Sequence, residues 1–489
     1  MINKMIALSR EAQEVYRTYS LEEVDDLVAK LCDEGYKNAD VLARLVVTET
    51  GMGVYEHKVL KNQLATKSVY NEIKNVKSVG VVREDKKNGM TEIAYPYGIV
   101  FSICPTTNPT ATALHNIIIA LKGGNSIILS PHPKAVKSTM KVVEILREVL
   151  TKNNVDENLI QCIEEPTLKT TQKFMQDPLI DLIIATGGSG LVSQAYSSGT
   201  PAYGVGPGNG PVYIDKSAKL DDAARKLTLS KSFDNGVLCS TESSAVVHKN
   251  VYQLFLRNLK NNGCYVLSDE EKLKVENVIF DKNSKLNLNI IGKSAVEIAE
   301  MAHVIVPANT IVLAAEEVEV GKDVAFAIEK LSPLLGIYRV NSLTEAMKIC
   351  DDLLSLGGRG HTCSIHAQDD SVIETYSLHM PVSRCVVNSY ASIGAAGATT
   401  NLIPSLTLGC GSYGKNITSD NITVEHLINI KRIARHQDKQ VEIPRVHQLS
   451  NKNIQDSPIN NVSQKSLEDY NYQDIKKIVS QVIKETSSK

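Results

Sequence analysis

"YGIVFSICPTTNPTATALHNIIIALKGGNSIILS", residues 97–130, contains a strand-like, a helix-like and a second strand-like segment joined by short connections. The apolar run before Pro105 predicts a buried strand, and the apolar segment that ends at Gly123 and Gly124 predicts a helix closed by glycine. "NSIILS" predicts another buried strand. A strand, a crossover helix and a second strand form a βαβ unit, so this stretch predicts a parallel sheet.

The same alternation continues to about residue 190. "KAVKSTMKVVEILREVLTKNN" predicts an amphipathic helix, and the strand-like "NLIQCIE" and "LIDLIIATGG" flank the helix-like "TLKTTQKFMQDP". Consecutive units of this kind predict an α/β fold with a mostly parallel, doubly wound sheet. Ligands of such sheets bind beyond the carboxyl ends of the strands. Three unusual loops follow those ends: "CPTTNPT" (104–110), "SPHPKA" (130–135) and "ATGGSG" (185–190).

A second α/β domain is predicted after Cys239, from "SAVVH", "VYQLFLRNLKNNG" and "NTIVLAA". Cys239 would then lie at the junction of two domains. "VGVVREDKKNGMTEIAYPYG" (79–98) predicts two strands around an Asn88-Gly89 turn. This hairpin is either an oligomerisation arm or an edge hairpin without special function, and its composition does not separate the two.

The balanced charge of the chain argues against several kinds of partner. Of the 489 residues, 53 are Lys or Arg and 55 are Asp or Glu, so the basic excess that nucleic-acid binding requires is missing. The first twenty residues lack an apolar core of signal-peptide length, and the longest apolar runs elsewhere are too short to span a bilayer. We therefore expect a soluble, cytoplasmic protein without nucleic-acid or membrane partners.

The nine cysteines show no CxxC pair and no spacing typical of a zinc site, so we predict no metal centre and expect most of them to be reduced and buried. Cys239 follows Asp234, Asn235 and Gly236, which favour a turn. Asn108 lies in a loop stiffened by prolines, where its amide is either a turn former or an oxyanion donor. With a cysteine at a domain junction, the pair suggests a thiol nucleophile and its oxyanion donor.

The composition changes beyond about residue 435. Residues 436–465 are polar and predict a linker. Residues 466–489 predict an amphipathic helix, whose apolar positions are Tyr472, Ile475, Ile478, Val479, Val482 and Ile483. Because a tethered helix has no core of its own to cover this face, we expect it to dock onto another protein.

Separated motifs, in order along residues 80–430, carry a resemblance to a known family. They are "PTTNPT", "SPHPKA", "ATGGSG", "GVGPGNGPV", "SFDNGVLCSTE", "EKLSP" (329–333), "GGRGHT" (357–362) and "PSLTLGCGSYGKN" (404–416). The chain resembles the aldehyde dehydrogenase superfamily and, within it, the coenzyme A-acylating branch. That branch includes the aldehyde half of bifunctional aldehyde-alcohol dehydrogenases and the microcompartment acetaldehyde and propionaldehyde dehydrogenases.

The resemblance implies an aldehyde dehydrogenase-like fold and a homodimer or tetramer. The implied parts are a doubly wound nicotinamide-binding domain (1–232) with a β-hairpin oligomerisation arm (about 79–98), a second α/β catalytic domain (233–410), a return and oligomerisation segment (411–435), the polar linker (436–465) and the docking helix (466–489). The tail resembles encapsulation peptides, which implies a place inside a bacterial microcompartment, docked to shell or cargo proteins.

The resemblance also assigns roles to individual residues. Cys239 occupies the position of the nucleophile, and Asn108 that of the oxyanion amide, with the Cys239 backbone N–H as the second donor. Glu329 matches the ligand of the nicotinamide-ribose hydroxyls, and Gly187 and Gly188 match the turn near the pyrophosphate.

One position departs from the pattern of hydrolytic relatives. They carry a glutamate base in the segment that corresponds to "GVGPGNG" (204–210), where this chain has Gly204, Val205 and Gly206. Without a base, water attacks a thioester poorly, whereas a thiol supplies some thiolate unaided. We therefore expect transfer of the acyl group to coenzyme A, unless Glu242 acts as a substitute base instead of filling a structural role.

A second departure concerns the cofactor. Many relatives have a lysine at the adenosine ribose, where this chain has Ser130 before Pro131 and His132. We expect these residues to contact NAD, with NADP left open. His361, in "GGRGHT", contacts substrate or coenzyme A, or else forms a structural hydrogen bond.

The expected activity is NAD-dependent oxidation of a short-chain aldehyde, acetaldehyde or propionaldehyde, to acyl-CoA. Alternatives within the fold are an acylating enzyme for sulfoacetaldehyde or lactaldehyde and a hydrolytic aldehyde dehydrogenase. γ-Glutamyl phosphate reductase, a related fold, matches "SFDNGVLCSTE" poorly. A non-catalytic cargo or scaffold protein would be expected to lack the cysteine or the amide, and both are present.

Overall fold

The computed structural model describes residues 2–437 and, beyond them, residues 473, 476, 477, 479 and 480. The chain forms two units, Met1–Ala434 and Arg435–Lys489. The predicted linker and docking helix lie outside the described residues, apart from 436, 437 and the five later positions, which are helical. No helix in the described part of the chain has the length and apolar composition needed to cross a membrane.

The first unit contains strands and helices in alternation. The strands are β1 (Gly80–Asp85), β2 (Met90–Pro96), β3 (Ile99–Ile103), β4 (Ser126–Ser130), β5 (Ile160–Cys162), β6 (Leu182–Thr186), β7 (Ala202–Val205), β8 (Gly210–Ile214), β9 (Glu242–His248), β10 (Cys264–Val266), β11 (Val312–Glu317), β12 (Leu334–Val340), β13 (Gly360–His366), β14 (Val382–Val387) and β15 (Ile428–Ala434). The α-helices are α1 (Ile2–Tyr16), α2 (Leu21–Lys37), α3 (Ala39–Thr50), α4 (Tyr55–Gln63), α5 (Val69–Ile73), α6 (Pro109–Lys122), α7 (Val136–Lys152), α8 (Leu168–Met175), α9 (Ser189–Tyr196), α10 (Leu220–Ser232), α11 (Tyr252–Asn261), α12 (Asp269–Ile279), α13 (Ala295–Met301), α14 (Leu343–Ser355), α15 (Asp370–His379) and α16 (Ala391–Gly394).

Residues 97–130 form β3, α6 and β4, as the sequence predicts. β3 and β4 pair in parallel, with Ile99 opposite Ser126. They belong to a five-stranded parallel sheet of order β5-β4-β3-β6-β7. The chain runs outward from β3 in both directions, so the switch point where ligands bind lies at the carboxyl ends of β3 and β6. The predicted doubly wound α/β fold is confirmed.

Helix α6 is buried along its whole length. It packs against β3 and β4 on one side and against helices α2, α3 and α4 on the other. A helix that is covered all round needs no polar face, which explains the run Ile117, Ile118 and Ile119. Burying each isoleucine contributes about 1.5–3 kcal/mol. The N-terminus of α6, which begins directly after Asn108, is therefore held firmly in place.

A second sheet has the order β10-β11-β12-β9-β8-β13-β14, and its strands also pair in parallel. The chain leaves the first sheet at Val205 and enters the second at Gly210. The change of sheet thus comes before the predicted domain boundary at 232. The sequence could not predict this position, because the short buried strand "GPVYI" does not reveal which sheet it joins. The domain limits themselves remain predictions.

The hairpin predicted at 79–98 is present. β1 and β2 pair antiparallel, and the four residues that join them, 86–89, end at Gly89, whose φ is positive (63°). β15 pairs antiparallel with the other edge of β2, placing Ile428 opposite Pro96. The return segment therefore ends by completing a three-stranded sheet with the hairpin. The role of this sheet in oligomerisation remains a prediction.

Candidate active site

A cavity of about 600 Å³ opens at the carboxyl ends of the first sheet. The loops after β3, β4 and β6 form part of its wall. Residues 237–240, which precede β9 of the second sheet, also line it. Its volume is typical of a small-molecule site. The sequence-predicted residues that line it are Cys239, Asn108, Glu329, Gly187, Gly188, Ser130, Pro131 and His132.

A turn of residues with left-handed backbone conformation precedes Cys239 and positions it at the cavity wall. Asp234 (φ 51°), Asn235 (φ 52°) and Gly236 (φ 69°) are three consecutive residues with positive φ. Aspartate and asparagine tolerate this region better than other residues with a side chain. At Gly236 a Cβ atom would lie 2.7 Å from a backbone oxygen, so glycine is required there. The predicted turn before the cysteine is confirmed.

The Cys239 side chain is half-buried and lies near charged groups. Burial, the largest cause, and the nearby carboxylate of Glu329 together raise the pKa of its thiol to about 12, while Arg384 opposes the shift. The thiol is therefore protonated near neutral pH in the ligand-free protein. A positive charge bound in the cavity would favour the thiolate.

Asn108 is the residue before α6, and Pro109 occupies the first helical position. Its side chain is 7% exposed and lines the cavity. The amide does not cap the helix, and within the described residues it forms no hydrogen bond. Because the amide has no protein partner among these residues and faces the cavity, it is available to a ligand oxygen there.

Glu329 is the one acidic residue among those that line the cavity. Its Oε1 accepts a hydrogen bond from the Gly208 backbone N–H at 3.0 Å, and burial raises its pKa to about 7. Its influence on the Cys239 thiol shows that the two groups are close. The sequence predicted a cofactor ligand at this position but not a carboxyl group near the cysteine.

Glu242 is engaged elsewhere. Its carboxylate accepts hydrogen bonds from the Ser230 hydroxyl at 2.6 Å and from the Ala391 backbone N–H at 3.0 Å. Burial raises its pKa, and the residue is not part of the cavity lining. These contacts favour the structural role for Glu242 over that of a substitute base.

The two glycines of "ATGGSG" lie where β6 gives way to α9. A Cβ atom at Gly188 would meet open space, whereas one at Gly187 would lie 2.8 Å from Leu191. Gly188 precedes the first turn of α9 without a side-chain cap. The backbone N–H groups of this turn are thus accessible to an anionic ligand.

In the loop after β4, side-chain groups that the sequence predicts as cofactor contacts already form hydrogen bonds within the protein. The Ser130 hydroxyl is buried and hydrogen-bonded to Thr171 at 3.0 Å. His132 accepts a hydrogen bond from the Lys134 backbone at 3.1 Å, and burial lowers its pKa. Ser130 therefore borders the cavity with its hydroxyl already paired.

His361 does not line this cavity. The ring is fully buried, and its Nδ1 lies 2.9 Å from the Thr362 hydroxyl. Burial, together with the positive charge of Arg384, lowers the pKa of His361 to about 3. The environment favours the structural hydrogen bond over contact with a ligand in this cavity.

Sequence inspection missed Arg384. Its guanidinium is buried and donates to the Gly409 carbonyl at 2.9 Å and to Asn421 Oδ1 at 3.0 Å. Its charge lowers the pKa of Cys239 against the effect of burial. The one sequence feature that could have indicated it is an arginine within the strand-like segment "PVSRCVV". Arginine is rarely fully buried, so an arginine at a position expected to be buried often has a specific role.

The fold and cavity define a two-sheet α/β protein whose cavity, at the carboxyl ends of the first sheet, contains a cysteine. The aldehyde dehydrogenase family model matches residues 1–400, and this chain belongs to the aldehyde dehydrogenase family. It is similar to an acetylating aldehyde dehydrogenase structure from Geobacillus thermoglucosidasius (TM-score 0.89, 45% identity, 91% of this chain and 97% of that one).

Further relatives agree with the resemblance to the acylating branch. A succinate-semialdehyde dehydrogenase (acetylating) from Clostridium kluyveri is 38% identical over 92% of this chain and 98% of its own length. An aldehyde-alcohol dehydrogenase from Clostridium acetobutylicum is 40% identical over 90% of this chain but 51% of its own length. The chain thus spans about half the length of the bifunctional relatives it matches.

Proposed function

We propose that this chain oxidises a short-chain aldehyde to acyl-CoA with NAD and coenzyme A, through a thioester on Cys239. The observation that carries the proposal is the composition of the cavity wall. Cys239 and the unpartnered Asn108 amide share the cavity with Val205, Gly206 and Pro207, the segment in which hydrolytic relatives hold their base. Since this segment lines the cavity and has no carboxyl group, water lacks its usual activator there.

The residues of the cavity suit each stage of this reaction. The Cys239 thiol first loses its proton to solvent, and the thiolate attacks the aldehyde carbonyl; the oxyanion that forms accepts hydrogen bonds from the Asn108 amide and the Cys239 backbone N–H. That N–H lies beside its own sulfur, where the reacting carbon would be bound. Loss of hydride leaves a thioester, which the thiolate of coenzyme A cleaves to give acyl-CoA and free Cys239.

The cavity also fits a nicotinamide dinucleotide, which would accept the hydride. Gly188 leaves open space at the start of α9 for the pyrophosphate, and Glu329 presents a carboxylate suited to ribose hydroxyls. We favour NAD over NADP because Glu49 already accepts hydrogen bonds from the Lys137 and Ser138 backbone at the N-terminus of α7 (both 2.7 Å). Glu49 lies outside the cavity lining, but its negative charge would oppose a ribose phosphate bound at this helix end.

The charge of the lining favours a neutral substrate. Lys134 and His132 are the basic residues among those that line the cavity, and both lie in the loop after β4, on the proposed cofactor side. Relatives that act on charged aldehydes, such as the sulfoacetaldehyde dehydrogenase (acylating) of Bilophila wadsworthia, need a site for an anionic group. Acetaldehyde or propionaldehyde therefore fits this cavity better than sulfoacetaldehyde.

The acyl-enzyme is expected to react with coenzyme A at least about 100-fold faster than with water, since a general base contributes that much to thioester hydrolysis when one is present. The measurement loads Cys239 from labelled acetyl-CoA, removes free coenzyme A and follows release of label with and without added coenzyme A. Glu329→Gln serves as the matched variant, and its hydrolysis rate should equal that of the wild type. Rapid release of acetate that Glu329→Gln abolishes would instead identify a hydrolytic enzyme with Glu329 as its base.

We also propose that the tail at 466–489 docks the enzyme to a microcompartment shell or to other cargo. A similar structure is a propionaldehyde dehydrogenase from a Clostridium phytofermentans microcompartment (TM-score 0.81, 27% identity, 88% of this chain and 97% of that one). Truncation after residue 450 should leave aldehyde oxidation unchanged and remove the enzyme from the microcompartment fraction of its host. Unchanged co-sedimentation of the truncated enzyme with the shell would contradict the proposal.

A further inference from the structure

We propose that one face of helix α4 sets the position of the Asn108 amide relative to the Cys239 sulfur. The α4 face consists of His57, Lys58, Lys61 and Asn62. It is attached to both of the loops that carry the two proposed reacting groups. The inference rests on the proposed function, because it concerns how that site is assembled.

The first set of contacts holds the loop of Asn108. Lys58 Nζ donates to the Thr107 carbonyl at 2.8 Å, and the Thr110 hydroxyl donates to Asn62 Oδ1 at 2.8 Å. Lys58 and Asn62 are four residues apart and so project from the same side of the helix. Since Thr107 and Thr110 flank Asn108, both ends of this short segment are fixed by α4.

The second set holds the turn that precedes Cys239. Asp234 is fully buried, and its Oδ2 accepts from Lys58 Nζ at 2.9 Å and forms an ion pair with Lys61. The Asp234 backbone N–H donates to His57 Nδ1 at 2.8 Å. One ammonium group, that of Lys58, therefore touches both loops.

The electrostatics make stability a poor explanation for this cluster. Burial alone would raise the pKa of Asp234, but Lys58 and Lys61 hold it below its usual range. Burial lowers the pKa of Lys61 to about 7, which reflects the cost of removing its charge from water. Buried ion pairs of this kind are often less stabilising than apolar residues of similar size. What they supply is a fixed direction for each hydrogen bond, as the positioning of two loops requires.

Lys58→Met and Lys61→Met form a matched pair for the test. Each removes one cation from Asp234, but only Lys58→Met also releases the Thr107 carbonyl. A displacement of about 1 Å in a catalytic group costs on the order of 100-fold, so we expect Lys58→Met to lower kcat by about 10- to 100-fold with little change in the KM for aldehyde. The fold-decrease in kcat for Lys61→Met should be smaller than that for Lys58→Met by a factor of at least about five.

A double-mutant cycle with Asn108→Ala separates positioning from general destabilisation. If Lys58 acts through the Asn108 amide, Lys58→Met should lower kcat by less than about threefold once that amide is absent. Independent, multiplying losses would overturn the inference, as would equal losses in the two lysine variants. If Asn108→Ala is itself without effect, the oxyanion role of Asn108 fails and this inference fails with it, whereas failure of the proposed function would appear as acyl-CoA formation retained by Cys239→Ala. A full Asn108→Ala effect together with a wild-type rate for Lys58→Met refutes the positioning role alone.

A second variant covers the case in which Lys58→Met does not fold. Thr110→Val keeps the side-chain shape and removes the hydroxyl that donates to Asn62. We expect a loss of about 3- to 10-fold in kcat that again disappears in the Asn108→Ala background. A wild-type rate for Thr110→Val, or a loss that persists without the amide, would contradict the inference.

Discussion

Cys239→Ala is expected to lower kcat/KM for acyl-CoA formation by about 1,000-fold or more, to the background level. The reason is that the thioester is the proposed route by which the acyl group remains on the enzyme between hydride loss and arrival of coenzyme A. The smaller side chain vacates part of a cavity wall and leaves the left-handed turn at 234–236 intact, so the variant should fold. The measurement is NADH formation from acetaldehyde with and without coenzyme A, accompanied by mass spectrometry of the protein for a covalent acyl group.

Cys104→Ala is the matched control, because Cys104 is the other cysteine among the residues that line the cavity. Its sulfur is buried and lies 4.0 Å from the Ser102 hydroxyl, so it faces the interior. Burial also raises the pKa of this thiol to about 12. We expect less than about fivefold loss of activity and a full acyl mass shift in this variant. Retention of acyl-CoA formation by Cys239→Ala, or a covalent acyl group found on Cys104, would refute the assignment of Cys239 as the nucleophile.

The parts of the fold that the sequence predicts well are those set by neighbours along the chain. β3, α6 and β4 follow from alternating apolar runs and from a glycine pair at the end of the helix. The hairpin of β1 and β2 follows from Asn88-Gly89, and the turn before Cys239 follows from residues that accept positive φ. In each case the apolar pattern or the backbone preference of residues adjacent in the chain is sufficient.

The features that the sequence did not reveal depend on distant residues. β8 joins the second sheet, and β15 pairs with a hairpin more than 300 residues earlier in the chain. Neither pairing leaves a local signal, because a short buried strand has the same composition in any sheet. Lys58 and Lys61 belong to "YEHKVLKNQ", whose charged residues would ordinarily be expected at a solvent-exposed surface. Their burial depends on Asp234, which is contributed by another part of the chain.

The candidate site shows the same division. The family motifs identified Cys239, Asn108 and Glu329 as candidate site residues, and all three line the same cavity in the structure. The motifs said nothing of the electrostatic effect of Glu329 on the Cys239 thiol, nor of the hydrogen bond between the Ser130 and Thr171 hydroxyls. A motif records which residue types recur, whereas hydrogen-bond partners and mutual electrostatic effects require the folded arrangement.

Asn108→Ala is expected to lower kcat by about 100- to 1,000-fold, the usual effect of removing one oxyanion donor. The KM for aldehyde should change little, because the amide would act on charge that develops during attack by Cys239 and not on the bound aldehyde. The variant should keep the wild-type Tm, since the amide neither caps α6 nor bonds to another described residue. Steady-state NADH formation and a thermal melt measure the two quantities together.

Thr112→Val separates a specific donor from a general loss of polarity. Thr112 also lines the cavity, one turn further into α6, and its hydroxyl is buried without a partner among the described residues. Valine keeps the shape of the side chain, so we expect less than about threefold change in kcat. Equal losses in Thr112→Val and Asn108→Ala would mean that the cavity needs polarity at this wall in general, and the Asn108 amide would lose its assignment as the oxyanion donor. A large loss confined to Asn108→Ala, with Tm unchanged, is the outcome that the geometry of the β3–α6 loop requires.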